Sequence, residues 1–159
     1  MKKFVNHIDH VVWISSLTNL EKNVAELEAV TDATFVRFQR DELGIVMCID
    51  WDAGLEVVAP YDEKTEFNQM MHDHLDTRGE GLFGVVFGVD DLEAHKDKME
   101  AKGIPMGPSM DSVPNSPWHH RLFLRERMVL QPVFNSQVVI GQIDYADDVV
   151  QLVDVEGED

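Results

Sequence analysis

The sequence is poor in cysteine and in basic residues, and both shortages exclude classes of function. Cys48 is the only cysteine among 159 residues, so no internal disulfide can form, which is typical of a reducing compartment. Lys and Arg number 13 against 30 Asp and Glu, which gives a formal net charge of −17. Nucleic-acid binding depends on clustered Lys and Arg, and anionic membranes repel an acidic surface. We therefore expect neither nucleic acid nor a membrane as a partner.

Long hydrophobic runs are absent as well. No apolar stretch approaches the roughly 20 residues that are needed to span a bilayer. The opening letters MKKFVNHID contain two lysines but no apolar segment behind them, which argues against a signal peptide. Hydrophobic residues nevertheless make up 44% of the sequence, which is enough for a buried core. We predict a cytoplasmic protein with one compact domain, or two small halves that share a core.

The apolar pattern predicts two copies of one β-α-β-β-β module. In the first copy a strand over 4–14 precedes a helix over 18–30. Its three further strand candidates are ATFVRFQ, GIVMCIDW and LEVVAP. In the second copy, the strand GLFGVVFGV and the helix DLEAHKDKMEAKG precede strands near IPMGPS, HRLFLRERMVL and QVVIGQIDYA. The letters VVWISSLTNLEK also match VVFGVDDLEA if the first copy carries two extra residues, which indicates a duplication.

The predicted fold class is therefore α+β: two tandem β-α-β-β-β modules whose mixed sheets curve around a shared cavity. The expected boundaries are 1–60 for the first module, 61–80 for a helical connector, 81–146 for the second module and 147–159 for an acidic C-terminal tail.

Four motifs in this arrangement resemble the vicinal-oxygen-chelate superfamily: IDHVVWI, GLEVVAP, RGEGLFGVVFGVDDLEA and GQIDY. That superfamily includes glyoxalase I, methylmalonyl-CoA epimerase, extradiol dioxygenases and bleomycin-resistance binding proteins. The resemblance covers roughly residues 5–146, and its layout is most similar to the epimerase. It implies a small-molecule substrate or ligand, a homodimer and, in many members, a divalent metal ion, although one such scaffold supports many chemistries.

In members with a metal, four strands each supply one ligand. By this resemblance, His10 and Glu56 match the first two positions. The third, a histidine in relatives, falls on Gly84, and the fourth, a glutamate in relatives, falls on Gln142. The resemblance therefore implies an incomplete ligand set of His10, Glu56 and Gln142 for a divalent metal ion, with a metal-free cavity as the alternative.

Two adjacent histidines in SPWHHRLFL offer a replacement ligand. Strand alternation gives His120 the parity of the apolar Leu122 and Leu124, so we expect His120 to face the cavity and His119 to face solvent. There His120 would be a substitute metal ligand or, with Glu56, a catalytic acid or base.

Each candidate also has a purely structural explanation. His10 shares its parity with Ile8 and Val12, so it can be a hydrogen-bonded core residue. Glu56 is harder to explain in this way, because an unpaired buried carboxylate is costly. Three arginines, at positions 121, 125 and 127, can either hold a substrate carboxylate or lie in solvent.

Two functions remain from the sequence. The first is an enzyme of lyase, isomerase or oxygenase type that acts on a small oxygenated organic substrate, with a divalent metal or a His/Glu acid-base pair in the cavity. Gly84 breaks the four-ligand set of glyoxalase I and of the epimerase, and extradiol cleavage needs two histidines and a carboxylate on iron. The alternative is a metal-free small-molecule binding protein of the bleomycin-resistance type.

Overall fold

The computed structural model describes residues 7–147. Within them lie eight strands and three helices. Their bounds are β1 His7–Ile14, α1 Leu20–Thr31, β2 Val36–Arg40, β3 Ile45–Asp50, β4 Leu55–Pro60, α2 Gln69–Arg78, β5 Gly81–Gly88, α3 Leu92–Glu100, β6 Met106–Asp111, β7 Leu122–Val129 and β8 Gln137–Tyr145. Residues 4–6 of the first predicted strand, and all of the predicted tail except Asp147, lie outside the described residues.

One curled sheet contains all eight strands, in the order β2-β3-β4-β1-β5-β8-β7-β6. Each half repeats one pattern, because β1 pairs in parallel with β4 and β5 pairs in parallel with β8. The two halves join where β1 and β5 pair antiparallel in the middle of the sheet. The predicted α+β fold of two tandem modules is confirmed.

Strand alternation separates the two faces of the sheet. On one face, Val12, Ile14 and Val58 belong to an apolar cluster that lines the hollow of the half-barrel. On the other face, Val57 of β4 packs with Leu20 of α1, so the helix covers the outer side. A residue on β1 or β4 with the parity of Val12 or Val58 therefore faces the hollow.

The helix ends differ in how they are capped. Asp91 precedes α3 and accepts a hydrogen bond from the Ala94 amide at 2.9 Å, as expected for a side-chain N-cap. Asn19 precedes α1, but its side chain makes no capping bond to the helix. Its side-chain amide donates instead to the Glu80 carboxylate, which also accepts a hydrogen bond from the Ser16 backbone N–H at 2.8 Å. The Ser16 hydroxyl also donates to this carboxylate, at 2.6 Å, and is the main cause that lowers the pKa of Glu80 to about 2, with the other bonds adding to it.

No helix within residues 7–147 combines the length and the apolar character that a membrane crossing requires.

Candidate active site

His10 and Glu56 lie side by side on the concave face of the sheet. The parallel pairing of β1 with β4 places Val12 opposite Glu56, and alternation turns His10 to the same face. His10 is 1% exposed, and its Nε2 lies 3.2 Å from Glu56 Oε2. The structure therefore brings together the two residues that the sequence singled out first.

The other side of the His10 ring is held by Asp9 and an aromatic neighbour. His10 Nδ1 lies 2.9 Å from Asp9 Oδ1, and the Tyr145 hydroxyl donates to both Asp9 oxygens at 3.2 and 3.0 Å. Trp51 packs edge-on against the imidazole, with 5.2 Å between the ring centroids. Both ring nitrogens consequently face carboxylates, and the orientation of the ring is fixed.

This surrounding makes His10 an imidazolium. Burial by itself would lower the pKa of His10, but the hydrogen bonds with Asp9 and Glu56 and the nearby Glu126 charge outweigh it and raise the pKa to about 10.

A third acidic residue, Glu126 of β7, completes the cluster. Its Oε1 lies 3.9 Å from His10 Nε2, and its side chain is only 12% exposed. Burial raises the pKa of Glu126 to about 7, although the His10 cation acts in the opposite direction. Glu126 Oε1 has no hydrogen-bond partner among the described residues. Near neutral pH this carboxyl group is therefore poised between its protonated and ionised forms.

The residue opposite Glu126 on the neighbouring strand has no side chain. Glu126 stands opposite Gly141 of β8, and a Cβ placed on Gly141 would lie 3.4 Å from Glu126 Oε1. The inward position of β8 is thus a glycine, and the carboxylate reaches the site from β7 instead.

Sequence reasoning missed Glu126, although a signal was present. Leu122, Leu124, Glu126 and Met128 share one parity, and this is the argument that was applied to His120. Leu124, Glu126 and Met128 do line the hollow.

Gln142 and His120 are not part of this cluster. Gln142 is the neighbour of Gly141 and turns to the other face of the sheet, where its Oε1 accepts a hydrogen bond from the Leu92 amide at 3.2 Å. The predicted inward orientation of His120 is wrong, since β7 begins only at Leu122 and alternation does not extend back into the preceding turn. His120 is exposed and borders a separate surface groove with Trp118.

Gly84 lies in the wall of the hollow and leaves no space for a side chain. A Cβ added there would lie 2.5 Å from the Gln137 carbonyl oxygen, which is closer than real Cβ atoms come. The β5 position to which the resemblance assigned a ligand histidine is therefore closed in this chain.

The hollow between the two modules is a largely apolar cavity of about 70 Å³, enough for a few water molecules or the head of a small organic ligand. Its polar lining consists of Glu56, Glu126, Arg40 and Gln137. Its apolar lining is Val12, Leu43, Ile45, Met47, Val58, Phe67, Met71, Phe83, Gly84, Val86, Met110, Leu124, Met128 and Val139. His10 contacts both lining carboxylates from behind.

As they stand, these residues do not fit a divalent metal. Within residues 7–147, no three His, Cys, Asp or Glu side chains form a group that could hold one. The nitrogen that would ligate the ion, His10 Nε2, is paired with Glu56. The cluster is arranged as a buried ion-pair network.

Solved structures that are similar to this chain include methylmalonyl-CoA epimerases. The Mycobacterium tuberculosis enzyme is 17% identical with a TM-score of 0.65, and the match covers 94% of each chain. An epimerase in complex with methylmalonyl-CoA and NH4+ is 16% identical with a TM-score of 0.66, over 87% of this chain and 95% of that one. A variant of the Streptomyces coelicolor enzyme with 2-nitronate-propionyl-CoA is 17% identical with a TM-score of 0.65, over 87% and 98%.

This chain has the vicinal-oxygen-chelate fold. No family model matches the sequence, and no curated protein matches it at a significant level. The likeness thus lies in the fold of the two modules, and the chemistry of the cavity depends on this chain's own side chains.

Proposed function

We propose that this chain is an isomerase-type enzyme that moves a proton at a carbon next to a carbonyl group in a small oxygenated organic molecule. One observation carries the proposal: two carboxyl groups, Glu56 and Glu126, line the same apolar cavity, and both approach Nε2 of one buried imidazolium. Paired acids whose environments differ are a common basis for acid-base catalysis.

In this reaction Glu56 is the base. Its carboxylate, which His10 holds in place, accepts the proton from the substrate carbon, and the electron pair of the C–H bond moves to the carbonyl oxygen. The apolar walls exclude water, which strengthens the electrostatic interactions between the reacting group and the two carboxyl groups.

Glu126 is the acid. With a pKa of about 7 it carries its proton in a large fraction of molecules at neutral pH. It donates that proton back to the carbon, which completes the rearrangement. Net proton transfer leaves Glu56 protonated and Glu126 ionised, and exchange with water restores the starting state.

The alternative function, a metal-free binding protein, receives no support from residues 7–147. A binding pocket for an apolar ligand gains nothing from a buried carboxyl oxygen without a hydrogen-bond partner, such as Glu126 Oε1, because burial of such an atom is costly. The homodimer, the cytoplasmic location and the exclusion of nucleic acid and membrane partners stay predictions from the sequence.

Deuterium exchange tests the proposal whichever product the enzyme forms. The protein is incubated in deuterium oxide with methylmalonyl-CoA and a panel of short acyl thioesters, 2-oxo acids and 2-hydroxy ketones, and loss of the proton signal next to the carbonyl is followed by NMR. We expect exchange with at least one compound, and a loss of about 100-fold or more in Glu56→Gln and in Glu126→Gln. Glu66→Gln, an exposed change on the connector, should exchange at the normal rate.

Two outcomes contradict the proposal: no exchange with any member of the panel, or wild-type exchange rates in both cavity variants.

A further inference from the structure

Arg40 is the one Lys or Arg among the described residues that line the cavity. It ends β2, the edge strand of the first module, and its side chain is 13% exposed. A guanidinium carries five N–H donors and stays charged at any relevant pH, so a half-enclosed arginine requires acceptors.

Most of those donors are unused. Arg40 pairs through Nε with Glu42, an exposed carboxylate in the turn after β2. No other hydrogen bond or ion pair joins the Arg40 side chain to the part of the chain that the structure describes. The guanidinium nitrogens beyond Nε are therefore available to a ligand in the cavity.

None of the three arginines that the sequence offered for this purpose lines the cavity. Arg121 pairs with Asp52 at 2.6 Å, and Arg127 pairs with Glu93 at 2.8 Å. Arg125 lies 3.8 Å from Asp144. These contacts leave Arg40 as the cation that meets the cavity.

The rest of the wall suits an apolar body. Four methionines, Met47, Met71, Met110 and Met128, line the cavity from both modules. Methionine is flexible and polarisable, so such a wall can adapt to acyl chains of different shape.

We propose that Arg40 binds a carboxylate group of the substrate, which makes the substrate a small organic acid with an apolar acyl portion. This inference rests on the proposed function, because it assigns the substrate class of the same cavity. The planar fork of the guanidinium accepts a carboxylate in bidentate geometry, whereas the methionine wall contacts the acyl portion. The anchored acid then presents its reacting carbon to the two glutamates.

Binding of simple acids tests this assignment apart from turnover. The probes are straight-chain monocarboxylates from propanoate to octanoate, each compared with its primary amide, by isothermal titration calorimetry. We expect the carboxylates to bind and the amides to bind at least about tenfold more weakly, as loss of a charge-assisted bond predicts.

Variants locate the binding group. Arg40→Met keeps the length of the side chain without its charge and should weaken carboxylate binding at least about tenfold, to the level of the amides. Arg40→Lys keeps the charge without the fork and should give an intermediate loss. Arg37→Met is the matched control, because Arg37 lies on the same strand but is exposed and pairs with Glu21. It should bind like the wild type.

Equal affinity for acids and amides, no binding of any acid, or equal losses in the two methionine variants would overturn the assignment. If Arg40→Met does not fold, the comparison of acids with amides on the wild type and on Arg40→Lys decides. Glu126→Gln should still bind the acids. The two proposals can therefore fail separately. If Glu126→Gln loses deuterium exchange while Arg40→Met binds the acids as the wild type does, the proposed function stands and only the assignment of Arg40 is overturned.

Discussion

At the scale of single residues, the site depends on which groups hold protons. His10 is kept as a cation by Asp9 and Glu56, and Glu126 is kept partly protonated by burial. Both pKa values are raised on folding, so the folded state binds both protons more tightly than the unfolded chain does. Each shift therefore lowers the free energy of unfolding as the pH increases through its range.

The His10 shift predicts a pH-dependent stability. Its pKa rises from 6.5 in the unfolded chain to about 10, so its contribution is complete below 6.5 and is lost as the pH increases through 10. Urea denaturation of wild type and His10→Gln across this range should show curves that converge as the pH rises. His120→Gln, an exposed control, should run parallel to the wild type. Parallel curves for His10→Gln as well would show that the imidazole is neutral.

At the scale of strands and helices, the sequence predicts most of what positions the site. The resemblance assigns His10 and Glu56 to one cavity, and the duplicated pattern yields the order of the elements. The errors concern register. Gln142 and Gly141 are neighbours, and an alignment displaced by one residue turns the wrong side chain inward. Likewise, His120 lies two residues before β7 begins, so the alternation of that strand does not apply to it.

Gly84 illustrates how closely β5 approaches β8. Since a Cβ there would lie 2.5 Å from the Gln137 carbonyl oxygen, Gly84→Ala should force the two backbones apart and reduce the free energy of unfolding by about 1–3 kcal/mol. Gly107→Ala is the control, because its Cβ would meet the movable end of Leu130 at 3.3 Å and would meet Met128 only at the ordinary contact distances of 3.6 and 3.9 Å. Chemical denaturation of both variants measures the difference. Equal losses would contradict the close approach.

At the scale of the whole molecule, the site exists because the modules pair. His10 and Glu56 belong to the first module, Glu126 belongs to the second, and β1 and β5 join them at the centre of the sheet. Neither half could assemble the three groups by itself. The duplicated architecture therefore explains why motifs far apart in the sequence converge on one cavity, which residue patterns within one module cannot reveal.

The metal content of the purified protein tests whether the ion-pair network replaces the metal that the fold's relatives suggest. We expect less than stoichiometric divalent metal by elemental analysis, and the same melting temperature with and without a chelator, because His10 is already neutralised by carboxylates. The expectation is contradicted if the wild type contains one equivalent of divalent metal, and if His10→Gln loses that metal while Glu66→Gln keeps it.

The most direct test measures the pKa of Glu126, the proposed acid, by NMR of its carboxyl carbon. The Glu126 resonance is assigned by its disappearance in Glu126→Gln. The environment of this side chain predicts an apparent pKa of about 7, and a further rise in His10→Gln, since the neighbouring cation opposes the shift. An apparent pKa near the ordinary 4.5, unchanged when His10 is replaced, would contradict the assignment of Glu126 as the acid of this site.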